Sequence, residues 1–498
     1  MLKKNDKVCV EITDYTDEGL GVGKAVTDDG TFTLFVKDTA VGDRAEVLVT
    51  GVKKSFGYGR LLSVLTPSPD RNDPECPVAS GCGGCTLRHI SYEAQLKWKE
   101  KRVRDCMKRI GGMAPGKDFE LFPVKGMDKP YRYRNKAQYP VGLKDGCVVT
   151  GFYAGRTHSV IASEDCLIEP EGFGKMLKLI REFAGKNNIT VYDESTGKGI
   201  LRHVLMREGM GGDEIMVCLV VNAAPGHKSL SVFERLSSEL KGFPAVKTFL
   251  MSHNTLRTNV ILGEKETVLF GDGRIRDCIG GRVYEISARS FYQVNPLQTK
   301  VLYDTAAEYA GLTGTEMVWD LYCGTGTIGL YLADKAKTVY GVEIVERAVE
   351  DAKRNAELNR VSNAAFACGK AEDILISADV SETGFTSTGS VNPEHCRREP
   401  VEVNRRIHLP PPDVIVIDPP RKGCDGKLLD TIAGSGAARV VYVSCNPATF
   451  ARDAAVLAEK GYRLECLQPV DMFPHTTGVE VVALFTSNEQ HPKENDFF

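Results

Sequence analysis

Asp320-Leu321-Tyr322-Cys323-Gly324-Thr325-Gly326-Thr327-Ile328-Gly329 follows directly on the apolar run Met317-Val318-Trp319, and its reading decides the fold. A G-x-G-x-x-G loop between a strand and a helix turns tightly and lets the backbone approach a nucleotide ligand at the helix N-terminus. The next apolar run, Thr338-Val339-Tyr340-Gly341-Val342, ends on Glu343, where a carboxylate can accept both hydroxyls of a ribose. From about Ser287 onward strands alternate with helices, which predicts an α/β doubly wound, Rossmann-like sheet. NAD and S-adenosylmethionine both use this geometry. Two features favour S-adenosylmethionine: Asp320 can face a cationic aminoacyl end, and Asp418-Pro419-Pro420-Arg421 closes the strand Asp413-Val414-Ile415-Val416-Ile417 with a rigid acidic turn that hydride transfer does not need.

A third strand, Ala438-Arg439-Val440-Val441-Tyr442, runs into Val443-Ser444-Cys445-Asn446-Pro447, which puts a thiol in a tight turn. Three strand ends therefore converge on the crevice where open parallel sheets bind ligands. An isolated cysteine reads as inert core; one in Ser-Cys-Asn-Pro at a strand end reads as a nucleophile. Carbon 5 of uracil takes a methyl group from a sulfonium only after something has added to carbon 6. A Cys445 thiolate supplies that addition, and a base must then remove the carbon 5 proton so that the thiol can leave. Glu480, just ahead of the last apolar strand (Val481 to Phe485), is the candidate base, with His475 as competitor.

At 498 residues and a net charge of -3 the chain is long for one core and is not a polycation, so any nucleic-acid contact must rest on local patches. Lys97 to Lys136 is one such patch, with 13 Lys or Arg against 5 Asp or Glu. A solvated helix face accounts for it as well as RNA does. Within it, Lys129-Pro130-Tyr131-Arg132-Tyr133-Arg134-Asn135-Lys136 interleaves aromatics with cations, a pattern suited to stacking and phosphate contact. The absence of a long apolar stretch speaks against a signal peptide or membrane span and points to the cytoplasm. No obligatory protein partner is evident. In a reducing compartment, 15 cysteines argue for free thiols, ligands or catalytic groups rather than disulfides. Cys9, Cys218 and Cys278 lie in apolar runs and read as small core residues.

The first 66 residues read as short strands (Val8 to Ile12, Thr33 to Val36, Ala45 to Val49, Arg60 to Leu65) that predict a small OB-like barrel. After the linker Thr66-Pro67-Ser68-Pro69-Asp70 come Cys76, Cys82 and Cys85, then a helix over 91–109 that is placed to pack on the catalytic part. Residues 67–286 read as a mixed α+β region, with strands at Glu214 to Val221 and Val260 to Leu262 and a helix near Lys175 to Ala184. Residues 287–487 form the catalytic domain, interrupted by a polar insertion over 381–412, and residues 488–498 are a loose tail. The C-x5-C-x2-C spacing looks like a ligand set, and Cys166 is the candidate fourth thiolate. Spacing alone does not separate zinc from iron.

With Gly19-Leu20-Gly21-Val22-Gly23 on its glycine-rich strand, the first segment resembles a TRAM domain. At the residues quoted above the chain resembles the RNA (uracil-C5-)-methyltransferase family, which includes ribosomal 5-methyluridine enzymes carrying an iron-sulfur cluster. Matched by motif, the resemblance implies cofactor contacts at Gln293 (in Ser290-Phe291-Tyr292-Gln293-Val294-Asn295), Asp320, Tyr322, Gly324, Gly326, Glu343 and Asp418. It further implies Cys445 as nucleophile, Glu480 as general base, and a 4Fe-4S cluster on Cys76, Cys82, Cys85 and Cys166. Thr327 departs from the family, standing where some relatives have Asn, and the insertion is longer than usual. The implied substrate is a uridine in RNA, ribosomal before transfer RNA, flipped out of its stack for reaction. A non-catalytic RNA-binding iron-sulfur protein would share the barrel and the cysteines, but has no use for Cys445, Asp418 and Glu480 at converging strand ends. An amino-group methyltransferase would use Asp-Pro-Pro without the thiol.

Overall fold

The computed structural model describes residues 2–27, 30–155, 157–376 and 407–488. The C-terminal sheet holds seven strands in chain order: β1 (Met317–Leu321), β2 (Thr338–Glu343), β3 (Ala364–Cys368), β4 (Val414–Ile417), β5 (Arg439–Ser444), β6 (Tyr462–Val470) and β7 (Glu480–Ser487). Their spatial order is β3-β2-β1-β4-β5-β7-β6, with Glu120–Leu121 added at the β6 edge. Strands β1 to β5 are parallel. They read as unbroken apolar runs because both faces are covered: Val318, Val416 and Val441 enter one core, Trp319, Ile415 and Tyr442 the other. The strand order reverses between β1 and β4, which places the ligand crevice at their carboxyl ends.

One edge corrects the expectation of a parallel sheet. Strand β7 runs antiparallel to both β5 and β6. Residues 471–479 are all that join β6 to β7, too few for the helical crossover of a parallel return.

Residues 136–270 build a second, seven-stranded sheet, with helices Glu171–Lys186 and Phe233–Leu240 packed on one face. From its other face Leu205, Met216, Cys218 and Leu250 join the core of the C-terminal sheet. The strand expected at Val260 to Leu262 is a loop. Asn254 donates to the carbonyls of Val260 (2.6 Å) and Ile261 (2.9 Å), tying the run by a side chain instead of a ladder. Cys218 is buried, whereas Cys9 and Cys278 are exposed. Both exposed thiols sit on the solvent side of alternating strands, Cys9 in line with Lys7 and Glu11 and Cys278 in line with Arg276.

At the N-terminus Lys7–Tyr15, Gly21–Thr27, Gly30–Val36, Arg44–Val52 and Phe56–Thr66 close into a barrel around Val10, Leu34, Val36 and Val47. Gly21 is required for closure, since a Cβ there would lie 2.1 Å from Thr39 Oγ1. The helix Tyr92–Arg109 starts at Ser91, whose hydroxyl accepts from Ala94 N at 3.2 Å. Its Val103 and Met107 lie in the same core as Phe450 and Ala451 of helix Pro447–Glu459. The insertion expected over 381–412 lies outside the described residues except for 407–412, where Ile407–Leu409 pairs with Ile374–Ile376. Of the tail, only Asn488 is described.

Candidate active site

A cleft of about 1940 Å³ opens at the carboxyl ends of β1, β2, β4 and β5. Gln293, Asp320, Tyr322, Gly324, Glu343, Asp418, Cys445 and Glu480 all line it. Gly326 does not. It is at φ +76°, and a Cβ there would meet Phe366 at 2.9 Å, so this glycine serves the packing of the turn against β3. Gly324, at φ +55°, has nothing within 4 Å of where a Cβ would stand, which leaves its face open to a ligand.

Local hydrogen bonds fix the nucleotide end. Asp320 accepts from Gly329 N at 2.8 Å, tying β1 to the first turn of helix Thr327–Leu332. Burial, and to a lesser extent the charges of Asp418 and Glu343, push the Asp320 carboxyl up to about 7. Glu343 accepts from Gly324 N at 3.1 Å and Val345 N at 2.9 Å, so both its oxygens already face amides at the loop. The Tyr322 hydroxyl donates to Glu372 at 3.0 Å. Gln293 is buried on a segment held from behind: Asn135 Nδ2 donates to its carbonyl at 3.1 Å, and the buried Arg207 donates to the carbonyls of Ser287 and Ser290.

At the other wall, Asn446 caps helix Pro447–Glu459 by accepting from Ala448 N at 3.1 Å, and Pro447 opens the helix. This puts Cys445 one residue outside a helix N-terminus. Asn446 Nδ2 (3.1 Å) and Thr449 Oγ1 (3.2 Å) also donate to the Arg421 carbonyl, locking the thiol turn to the Asp-Pro-Pro-Arg turn. The Cys445 thiol is pushed up to about 11 by burial, then by Glu480 and Asp418, against a lowering by Arg421. Burial raises Glu480 to about 8, with Asp418 adding and Arg421 opposing, and burial raises the half-buried Asp418 to about 7. Arg421 stands near Cys445 and Glu480, on the turn that Asn446 and Thr449 lock to the thiol turn.

His475 is not among the lining residues. Its Nε2 lies 3.0 Å from the Pro130 carbonyl and its Nδ1 3.4 Å from Gln95 Nε2, and burial pushes its pKa down to about 3. It belongs to the segment Asp471–Gly478, which precedes Glu480 and is gripped from residues 87–133. Lys99 donates to Asp471 at 2.5 Å and to the Phe473 carbonyl at 3.1 Å. Tyr133 reaches the Pro474 carbonyl (2.9 Å), Leu87 N the His475 carbonyl (2.9 Å), and Arg102 the Thr477 carbonyl (2.6 Å). Of the sequence's cation run, Lys99 is thus wholly buried and structural.

Cys76, Cys82, Cys85 and Cys166 lie apart from the cleft and near one another. Burial raises the thiols of Cys82, Cys85 and Cys166; Cys76 raises Cys82 and Cys85 further, and Cys82 and Cys85 raise Cys166. Arg88 Nη2 stands 3.8 Å from the Cys85 sulfur. Gly83 passes so close to the Tyr153 carbonyl that a Cβ would sit 2.9 Å from it. Among the described residues, no three His, Cys, Asp or Glu side chains are arranged to hold a single metal ion.

A glycine loop at a strand end, a carboxylate at the end of the next strand, and a thiol that shares the cleft with two buried carboxyls are the arrangement of a Rossmann-like nucleotide-binding fold. Residues 264–488 match the family model described as tRNA (Uracil-5-)-methyltransferase, and residues 2–62 match the TRAM domain. An uncharacterized RNA methyltransferase of Bacillus cereus (strain ATCC 14579) is 47% identical over 482 residues, 97% of each chain. Another from Halalkalibacterium halodurans is 46% identical over 483 residues, again 97% of each. The crystal structure of Pyrococcus abyssi tRNA (uracil-54, C5)-methyltransferase in complex with S-adenosyl-L-homocysteine has a TM-score of 0.69 at 26% identity, covering 96% of this chain and 99% of that one. The chain belongs to this uracil-5 family of RNA methyltransferases, with a TRAM barrel at its N-terminus.

Proposed function

We propose that the protein methylates carbon 5 of a specific uridine in large-subunit ribosomal RNA, using S-adenosylmethionine and a transient covalent bond from Cys445 to carbon 6. The observation that carries the reading is the convergence of Cys445, Asp418 and Glu480 on one wall of the cleft that Gly324 and Glu343 line from the other side. The residues fit the cofactor: the face at Gly324 is open, Glu343 matches a ribose, and Asp320 and Asp418 match a cationic group. When bound, S-adenosylmethionine supplies an electrophilic methyl group. Cys445, as the thiolate, adds to carbon 6 and makes carbon 5 nucleophilic toward that methyl group. The ionised form of Glu480, the minor form below about pH 8, then takes the carbon 5 proton so that the bond from carbon 6 to the Cys445 sulfur breaks by elimination. Asp418, near its midpoint at neutral pH, can donate to or accept from the polar edge of the ring.

Cys76, Cys82, Cys85 and Cys166 are proposed as ligands of a 4Fe-4S cluster. Its corners are met by thiolates set farther apart than a single zinc ion requires, and a cationic core would favour the thiolate forms that burial opposes at Cys82, Cys85 and Cys166. The chemistry above moves no electrons, so the cluster's role is to hold the loop. A transfer RNA substrate is the second reading, favoured by the Pyrococcus enzyme whose crystal structure the chain resembles. Among the described residues no helix is long and apolar enough to cross a membrane; the cytoplasmic site of action belongs to this proposal through its RNA substrate.

RNA containing 5-fluorouridine at the target should trap Cys445 when cofactor is present, and Cys445→Ala should abolish both adduct and turnover. Turnover that survives Cys445→Ala would favour an amino-group methyltransferase. Mapping 5-methyluridine in ribosomal and transfer RNA from a deletion strain separates the two substrates. Iron and sulfide content of anaerobically purified protein tests the cluster, and stoichiometric zinc without iron would refute it.

A further inference from the structure

The turn that follows β4 is held by one face of one helix. Asn446, Thr449, Arg452 and Asp453 recur every three to four residues along helix Pro447–Glu459 and its cap, so their side chains share a side. All four meet residues 421–424. Asn446 and Thr449 donate to the Arg421 carbonyl. Arg452 Nη2 donates to the carbonyls of Lys422 at 3.0 Å and Cys424 at 3.3 Å, and Asp453 accepts from Cys424 N at 2.7 Å. Asp453 is wholly buried, and its other donors are the Tyr442 hydroxyl at 2.7 Å and the Arg452 guanidinium at 2.6 and 2.8 Å. Tyr442 belongs to β5, so strand, turn and helix meet on one carboxylate.

A carboxylate taken out of water is costly unless it is paired and hydrogen-bonded, and a surface turn ordinarily leaves its backbone groups to solvent. Here both are satisfied by each other. Gly423, at φ +78°, brings the turn backbone onto the ion pair: a Cβ there would lie 2.5 Å from both Arg452 Nη2 and Asp453 Oδ2. Its amide donates to the Pro420 carbonyl at 2.8 Å, which closes the turn on itself. What the turn carries accounts for the hold. Cys445 precedes the cap of the same helix, and Arg421, exposed in the cleft, is the cation that opposes the effect of burial and of the two carboxyls on the thiol. The donors on the Arg421 carbonyl fix one end of the turn. The grip on Lys422 and Cys424 fixes the other, so the backbone of Arg421 has no freedom to swing away from the sulfur.

We propose that Arg452 and Asp453 are positioning residues, a clasp that carries Arg421 and Cys445 on one rigid unit and so keeps the guanidinium beside the sulfur as the thiolate forms and adds to carbon 6. The proposal rests on the covalent reading of Cys445 and extends it to two residues that do not line the cleft. They act through Arg421, not on the substrate.

The test is alkylation of Cys445 by iodoacetamide at pH 8 in the full chain without cofactor, followed by peptide mass spectrometry, since the rate reads the thiolate. Arg452→Met, at a half-exposed position, should slow it about threefold or more, part of the roughly tenfold that a close opposite charge supplies. A turn that had merely loosened would uncover the thiol and speed the reaction. In an Arg421→Gln background the same substitution should change the rate by less than about 1.5-fold, because the clasp then has no guanidinium to hold. Asp453→Asn should behave as Arg452→Met does. Where either fails to fold, Thr449→Val, which removes one donor to the Arg421 carbonyl, should show the same dependence on Arg421. Equal slowing in both backgrounds, or parental or faster rates in the variants that fold, would overturn the proposal. With 5-fluorouridine RNA and cofactor, the Cys445 adduct should form more slowly in Arg452→Met by about the same factor. Absence of any adduct in the parental protein would sink the covalent reading, while the alkylation series decides the clasp by itself, so the two failures are distinguishable.

Discussion

The electrostatics of Cys445 lead to an outcome that runs opposite to a simple reading of the active site. A thiol with an ordinary pKa of 9.0 is about one-tenth thiolate at pH 8, whereas one raised to about 11 is about one part in a thousand, a deficit of about 100-fold. Alkylation by iodoacetamide follows the thiolate, so Cys445 in the cofactor-free protein should react about 100-fold more slowly than a thiol of ordinary pKa, with a short free cysteine peptide as the reference. Burial is the first cause and stays in any variant, but the carboxylates can be removed singly. Asp418 is ionised above about pH 7, so Asp418→Asn should speed alkylation at pH 8. Glu480 carries its proton until about pH 8, so Glu480→Gln should do nothing at pH 7 and speed alkylation at pH 9. Arg421→Gln should slow it throughout. The Glu480→Gln variant would therefore have a more reactive thiol and a slower turnover, by about 10²- to 10⁴-fold for the loss of a general base. Peptide mass spectrometry across pH 7 to 10 gives every rate in one series. A Cys445 that alkylates as fast as the free cysteine peptide, or that ignores both carboxyl substitutions, would refute the reasoning.

With natural RNA, Glu480→Gln should accumulate a methylated covalent adduct visible as a shifted band on denaturing gels, because addition and transfer proceed while elimination stalls. The raised carboxyls of Asp320, Asp418 and Glu480 also set a pH dependence of stability. Between their unfolded values near 4 and their folded values of about 7 to 8, the unfolded chain has released protons that the folded one retains, so stability falls as pH rises. Thermal midpoints of cofactor-free protein should accordingly drop from pH 5 to pH 8, and Asp418→Asn should flatten the slope. Lys99→Met strands the buried Asp471 charge and should cost about 3–5 kcal/mol by denaturant titration, since breaking one side of a buried pair leaves the other uncompensated. A cationic analogue of S-adenosylmethionine should accelerate Cys445 alkylation more than neutral-sulfur S-adenosylhomocysteine does, because positive charge near Asp418 and Glu480 offsets their pull on the thiol.

Where placement is local, it was legible in the sequence. Gly324 and Glu343 sit at the ends of consecutive strands, and the Ser-Cys-Asn-Pro turn carries both the thiol and the cap that holds it, so their convergence follows from α/β topology. What escaped depends on contacts between distant segments. His475 beside a proline reads equally as base or as structure, and its assignment needs Pro130 and Gln95, more than 340 residues earlier. Lys99 reads as one cation in a run until Asp471 is seen beside it. The antiparallel β7 was within reach, because residues 471–479 are too few for a crossover. Cys9 and Cys278 were misplaced by counting apolar neighbours instead of strand parity, which puts them with Lys7, Glu11 and Arg276.

The grip on Asp471–Gly478 also explains why a catalytic sheet should be preceded by so much chain. The proposed mechanism needs the Glu480 carboxyl to stay buried and near Cys445, yet the segment leading to it is a nine-residue connection with little regular structure, the kind of element that drifts. Helix Tyr92–Arg109 supplies Lys99 and Arg102, the stretch just before it supplies Leu87, and Tyr133 lies on the aromatic-cation run; together they hold four carbonyls and one carboxylate of that connection. Cys85 lies two residues from Leu87 and beside Arg88, so anything that orders the cysteine loop also orders the first of these holds. The barrel adds a further brace, since Gly19 approaches Thr477 so closely that a Cβ would lie 2.9 Å from its methyl group. A truncation that keeps only the C-terminal sheet should therefore retain a formed nucleotide loop and lose elimination first. In a fragment beginning near Ser287, cofactor binding by calorimetry should persist, if it folds, while release of methylated RNA fails; a fragment that turns over at the full rate would show that the base needs no such support.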